Sequence, residues 1–253
     1  MSFSDWWTNS NNPSLPKSEY LFGTRHITLL LTTLILCIIL TIIFRKKSDK
    51  AKRILFLTFG FIFLFFEILS RIVNLIILDN YTVENIAKII LPMHICSVMV
   101  WVFIFAIFTK KQFLIKFSVV GGILATTAFL LYPAVGINQT YMAFTNIYST
   151  VSHMLGFICC ILLMTLGQVK FEIKKIWQTY LCLAIMFLWG VLLDFVIFPG
   201  SVYMYIVNDP LELGLSFPYQ ILYGIVIIIY TFAYYGIYWL IKRKNRHVVK
   251  KIG

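Results

Sequence analysis

Apolar residues in this chain come in long, nearly unbroken runs separated by short polar stretches. Seven runs, at roughly 26–44, 54–78, 86–108, 112–132, 146–167, 176–198 and 217–241, meet the requirement of about 20 apolar residues for a helix that crosses the hydrocarbon core. The pattern predicts an all-α polytopic membrane protein with seven transmembrane helices. Its expected organisation is an extracellular or interfacial segment at 1–25, a seven-helix transmembrane domain at 26–241 and a basic tail at 242–253. The leading segment has no basic stretch followed by a short apolar core, and the first run is too long for that core, so the segment is expected to be retained.

Composition supports this picture. Of 253 residues, 60% are hydrophobic and 13% charged, and the mean hydropathy is +0.87. The net charge of +12 would suggest nucleic acid if it were clustered on a soluble face, but it falls in alternate loops. "RKKSDKAKR" follows the first run, Lys110, Lys111 and Lys116 follow the third, Lys170, Lys174 and Lys175 follow the fifth, and "KRKNRHVVKK" follows the seventh. The other loops carry Asp79 and Glu84, then no charge in "PAVGINQTYMAFT", then Asp209 and Glu212. By the positive-inside rule the N-terminus is outside and the C-terminus cytoplasmic. The excess charge is explained by topology and anionic inner-leaflet lipid, and no nucleic-acid partner is expected. Cys37, Cys96, Cys159, Cys160 and Cys182 all lie within apolar runs, without structural zinc spacing or a Gly-rich phosphate loop, so neither metal nor cofactor is expected.

Polar groups inside apolar runs are costly and need a reason. In the second run Glu67, Arg71 and Asn74 stand at i, i+4 and i+7, one helix face. Glu67 and Arg71 can pair, either to fasten helices together or to line a site. With the inferred topology, His26, Arg71, Asn74, Lys88, His94, Cys96, His153 and Asp194 all fall in the outer half of the membrane, which points to a polar cavity there. Trp6 and Trp7 suggest an N-terminal segment lying on the outer interface, and the tyrosines at 223, 230, 234 and 238 suggest packing or anchoring.

The stretch "KIILPMHICSVMVW" holds the chemistry. Cysteine in a span usually serves as a small hydrophobe, and an apolar surrounding keeps it inert, so a nucleophilic Cys96 needs a base or cation nearby. His94, His153 and Lys88 are the candidates. On a regular helix His94 and Cys96 point about 200° apart, whereas Lys88, Pro92 and Cys96 share a face. Pro92 offers an irregularity by removing one backbone hydrogen bond. His153, on another helix, is free of that restriction and is the first choice of base. A Cys–His pair would take up an acyl group as a thioester and pass it on, while a histidine acting alone would support direct hydroxyl-to-hydroxyl transfer.

"LFGTRHITLL", "LPMHICS", a histidine early in the fifth run, "YMYI" and "DPLELGLSFPYQILYG", in that order, resemble the YwaF-like integral membrane proteins. The likeness covers about residues 20–240. That family is in turn similar to a eukaryotic transmembrane acyltransferase that remodels ether phospholipids. The resemblance implies seven helices and acyl transfer by the cysteine of an H-x-C motif: Cys96 as nucleophile, His94 as its motif partner and His153 as a second essential histidine. This chain departs from the family pattern at His153-Met154, Val202-Tyr203-Met204 and Ser216-Phe217-Pro218. His26, Glu67, Arg71, Asn74, Asp194 and Tyr203 are the candidate substrate-binding residues.

The leading expectation is therefore an acyltransferase of the plasma membrane of a bacterium, acting on phospholipid or lysophospholipid through an acyl-cysteine. The alternatives are a transporter or substrate-binding membrane subunit, and a non-catalytic lipid-binding or structural protein.

Overall fold

The computed structural model describes residues 6–7, 12–78, 80–133, 136–199 and 219–252, without the side chains of 18, 219, 220, 222, 223 and 241–252. The main helices are α1 (Thr24–Arg45), α2 (Asp49–Ile76), α3 (Val83–Ile90), α4 (Ile95–Thr109), α5 (Gln112–Leu131), α6 (Phe144–Thr165), α7 (Ile176–Val191) and α8 (Tyr219–Ile252). A 3-10 turn, Ile173–Lys175, leads into α7, and a π-helical turn, Leu192–Ile197, continues it. Among the described residues the only β pairing is an isolated bridge between Ser14 and Gln139.

Among the described residues, five helical stretches are long and apolar enough to cross a membrane: α1, α2, α5, α6 and Ile173–Ile197. The third apolar run differs from the single helix expected. It is split into α3 and α4, bent by 55°, and gives a sixth span if the pair is counted as one. The described apolar part of α8, Gly224–Leu240, is shorter. The chain is thus a multi-pass membrane protein.

The break follows from Pro92. In a continuous helix its nitrogen would donate to the carbonyl of Lys88, and it has no hydrogen to give. The helix stops at Ile90 and restarts at Ile95. α2 and α3 each begin on a capping side chain, Ser48 accepting from the Ala51 amide and Thr82 from the Asn85 amide.

The chain divides into two compact units, one holding α1 to α6 and the other holding Met93–Ile95 with α7 and α8. In the first, α6 packs against α1, α2 and α5, and α2 also packs against α3. Glycines allow the closest approaches. A Cβ added at Gly122 would lie 2.5 Å from Phe103 and 2.8 Å from Cys160, and one at Gly156 would lie 2.9 Å from Thr126 and 3.2 Å from Phe103. Phe103 of α4 is thus wedged between α5 and α6, stacked on Phe63 of α2 at 5.4 Å. Lys116, which the charge pattern grouped with loop residues, is buried one turn inside α5.

In the second unit Thr179 and Tyr235 hydrogen-bond at 2.7 Å, and the Phe171 ring meets those of Tyr234, Tyr235 and Tyr238. The tyrosines at 234 and 238 serve packing here, as an aromatic stripe at helical spacing usually does.

Candidate functional site

The start of α1, the end of α2, the start of α4, the end of α5 and the start of α6 meet at one end of the first unit. Trp7 links two of them, stacking on Phe144 at 3.7 Å and donating to Asn74 Oδ1 at 3.1 Å. Trp7 is buried. Further along, Asn12 exchanges two hydrogen bonds with the backbone of Tyr141, and Arg25 donates to the carbonyls of Gln139 and Thr140.

Beneath this cover lies the Glu67–Arg71 pair. Glu67 is 2% exposed. Arg71 Nε donates to Glu67 Oε1 at 3.1 Å, its Nη2 donates to the same oxygen, and Tyr148 of α6 donates to Glu67 Oε2. The remaining arm of the guanidinium, Nη1, donates to the carbonyls of Ile89 and Ile90, the last two residues of α3. In a continuous helix those carbonyls would accept from the amides of Met93 and His94, the pairs four residues on. Arg71 therefore replaces the two amides that the break removes. At membrane depth, where water is absent, such carbonyls cannot be left unpaired, at a cost of about 1–3 kcal/mol each. Arg71 also lies over the Trp101 ring of α4, 5.8 Å from its centroid. At the opposite end of α2, Arg53 does the same for α4, donating to the carbonyls of Ile107 and Phe108. Both arginines also place a cation at the negative end of a helix dipole.

Cys96 is the second residue of α4 and half-buried. It shares a helix face with Met99, Val100 and Phe103, at i, i+3, i+4 and i+7. Met99 and Phe103 of that face lie against Gly121, Gly122 and Gly156, so the Cys96 face is turned to α5 and α6. His153 is one turn from Gly156 on α6, toward the end where Cys96 lies.

The His153 ring stacks on Phe129 of α5, 3.9 Å between centroids and 13° between planes. Its Nδ1 is 2.7 Å from the Ser149 carbonyl, which can only accept, so Nδ1 carries a hydrogen. Nε2 is left with its lone pair, enclosed and without a protein hydrogen-bond partner. His26 is arranged differently. Its Nδ1 accepts from the Phe22 amide at 3.0 Å, and its Nε2 is 2.7 Å from the Leu130 carbonyl. Fully buried with both nitrogens engaged by backbone, His26 joins α1 to the end of α5 and keeps no nitrogen for a substrate.

The remaining candidates are dispersed. Lys88 pairs with Glu84 at 2.5 Å along α3. His94 is exposed in the break, in the second unit. Asp194 is buried within the π-helical turn of that unit. Tyr203, with "YMYI" and most of "DPLELGLSFPYQILYG", lies outside the described residues. Among the described residues no three His, Cys, Asp or Glu side chains converge as a metal site. Tyr148 and Phe129 were not legible as site residues. Tyr148 stands five residues before His153 in "NIYSTVSH", a spacing that puts the two on different flanks of one helix, and its partner is 81 residues away.

The chain's resemblance to known proteins can be set beside this geometry. No curated protein and no solved structure matches it significantly. The profile of the TMEM164 family, by contrast, matches residues 21–238. That match runs from the turn before α1, through the broken α3–α4 segment and the α6 histidine, into α8, and the chain belongs to the TMEM164 family.

Proposed function

We propose that this protein is a membrane acyltransferase that moves a fatty acyl group between glycerophospholipids through a thioester on Cys96, with His153 as the base. The observation that carries the reading is the His153 ring. Its Nδ1 is tied to the Ser149 carbonyl and one face is covered by Phe129, which leaves the Nε2 lone pair enclosed and uncommitted at the bundle end that holds Cys96. A buried polar atom without a partner is disfavoured unless something uses it. The likeness of "LPMHICS" to the H-x-C motif of a cysteine acyltransferase points the same way.

In the first half-reaction Nε2 takes the thiol proton and the sulfur attacks the ester carbonyl carbon of a phospholipid. The tetrahedral adduct collapses with cleavage of the ester C–O bond, and the lysophospholipid leaves as its alcohol with the proton held on Nε2. In the second half a lysophospholipid hydroxyl gives its proton to Nε2 and attacks the thioester, and the sulfur leaves and is reprotonated. The break places Cys96 in the first turn of α4, whose amides have no acceptor within the helix and can serve the oxyanion. No cofactor is invoked. Glu67, Arg71 and Asn74 lie at the same bundle end and would line the lipid pocket.

We further propose that α8 is the seventh span, that the N-terminus is outside, and that the site serves the outer leaflet of a bacterial plasma membrane. A transport role fits less well, because the Glu67–Arg71 pair with the histidines at one end of the first unit and Arg53 with Lys116 at the other are not joined by any charged side chain among the described residues between them.

The test is the intact mass of purified protein incubated with a phospholipid carrying a labelled acyl chain. A hydroxylamine-sensitive adduct is expected for wild type and absent from Cys96→Ser, and His153→Ala is expected to slow its formation by at least 100-fold. Retention of unmodified lipid by wild type, with no adduct, would remove covalent catalysis and leave lipid binding.

A further inference from the structure

A buried ion pair inside a bundle adds little stability over apolar residues of the same size, because both charges must leave water. The Glu67–Arg71 pair thus calls for another account, and its partners supply one. The guanidinium uses Nε and Nη2 on Glu67 and reserves Nη1 for the two carbonyls freed by the α3–α4 break. The second carboxylate oxygen accepts from Tyr148, five residues before His153 on α6. One chain of hydrogen bonds thus runs from α6, through α2, to the last turn of α3, where the helix breaks ahead of Cys96.

We propose that Tyr148, Glu67 and Arg71 are positioning residues: a mount that holds the broken turn open and fixes its register against α6, and so sets where Cys96 lies relative to His153. The catalytic consequence rests on the acyl-transfer reading; the mechanical one does not. Because both arms of the guanidinium fork are used, a simple positive charge cannot replace it. A pair that merely neutralised charge would accept lysine, and a pair that bound lipid headgroup would alter lipid affinity.

The experiment compares wild type, Tyr148→Phe and Arg71→Lys in two ways. Hydrogen–deuterium exchange of the detergent-solubilised protein is expected to quicken at least tenfold at the hydrogen-bonded amides of Ile89–Leu91, the turn that Arg71 holds, in both variants, with α1 and α5 changed less than twofold. Single-turnover acylation of Cys96 is expected to slow at least tenfold, with the lipid concentration for half-maximal rate within twofold of wild type. Unchanged exchange at Ile89–Leu91, or a rise spread evenly over the bundle, would overturn the mount, and so would a silent Arg71→Lys. Local loosening in a protein that never acylates would keep the mount and overturn the acyl-transfer reading. Normal acylation in both variants would keep the acyl-transfer reading and overturn the positioning of Cys96 by these residues.

Discussion

The two histidines of the first unit, His26 buried and His153 half-buried, make opposite demands on the protein. His26 satisfies the Phe22 amide and the Leu130 carbonyl at once, so His26→Leu leaves both unpaired, and a loss of about 1–3 kcal/mol is expected, read as a lower melting temperature. His153 satisfies only a carbonyl that already serves the helix, and its Nε2 has no partner. His153→Leu is expected to melt at or above the wild-type temperature while losing acyl-adduct formation, the mark of a residue kept at some expense to stability. A melting loss for His153→Leu as large as that for His26→Leu would assign both to packing. The sequence placed both histidines in the outer half of the membrane, His26 nearer the surface, but did not show which of their nitrogens would be engaged. What distinguishes them is which carbonyl each nitrogen meets, and those carbonyls belong to the chain's three-dimensional path. Tyr148 was hidden for the same reason.

At the scale of the element, the broken third run is the main departure from the periodic pattern. Hydropathy averaged over a window sees one apolar run across 86–108, because a break of four residues barely changes the mean. Pro92 signalled an irregularity, but not that the helix would stop for four residues, since whether a proline kinks or ends a helix depends on what receives the freed carbonyls. Here Arg71 receives them. Close packing around the break is equally specific, and glycine substitutions test it. Gly122→Ala would drive a methyl to 2.5 Å from the Phe103 ring and is expected to destabilise by about 1–3 kcal/mol. Gly236→Ala meets nothing within 4 Å and removes a flexible residue from a helix, so a gain of about 0.5–1 kcal/mol is expected. A Gly122→Ala melting curve that did not fall would contradict the packing described for α4, α5 and α6.

For the whole molecule, membrane character and most spans were legible because about 20 consecutive apolar residues have few uses besides crossing a bilayer. Orientation was argued from charge alone, and the first unit gives that argument a physical test. The α1–α2 turn carries Lys46 and Lys47 and the α4–α5 turn carries Lys110 and Lys111, while the segment 136–143 at the end holding Cys96 has no charged residue. Lysines favour the cytoplasmic side, so Cys96 and His153 should open to the outer leaflet. Single cysteines introduced at exposed Thr140 and exposed Lys47 report this directly, since the native cysteines all lie within helices. In intact cells Thr140→Cys is expected to react with a membrane-impermeant maleimide, and Lys47→Cys to react only after permeabilisation. The reverse pattern would carry the site to the cytoplasmic leaflet. Its chemistry would be unaltered, but the lipids able to reach Cys96 would then be those of the inner monolayer, and the lysine-rich turns would stand outside, against the charge rule that set the orientation.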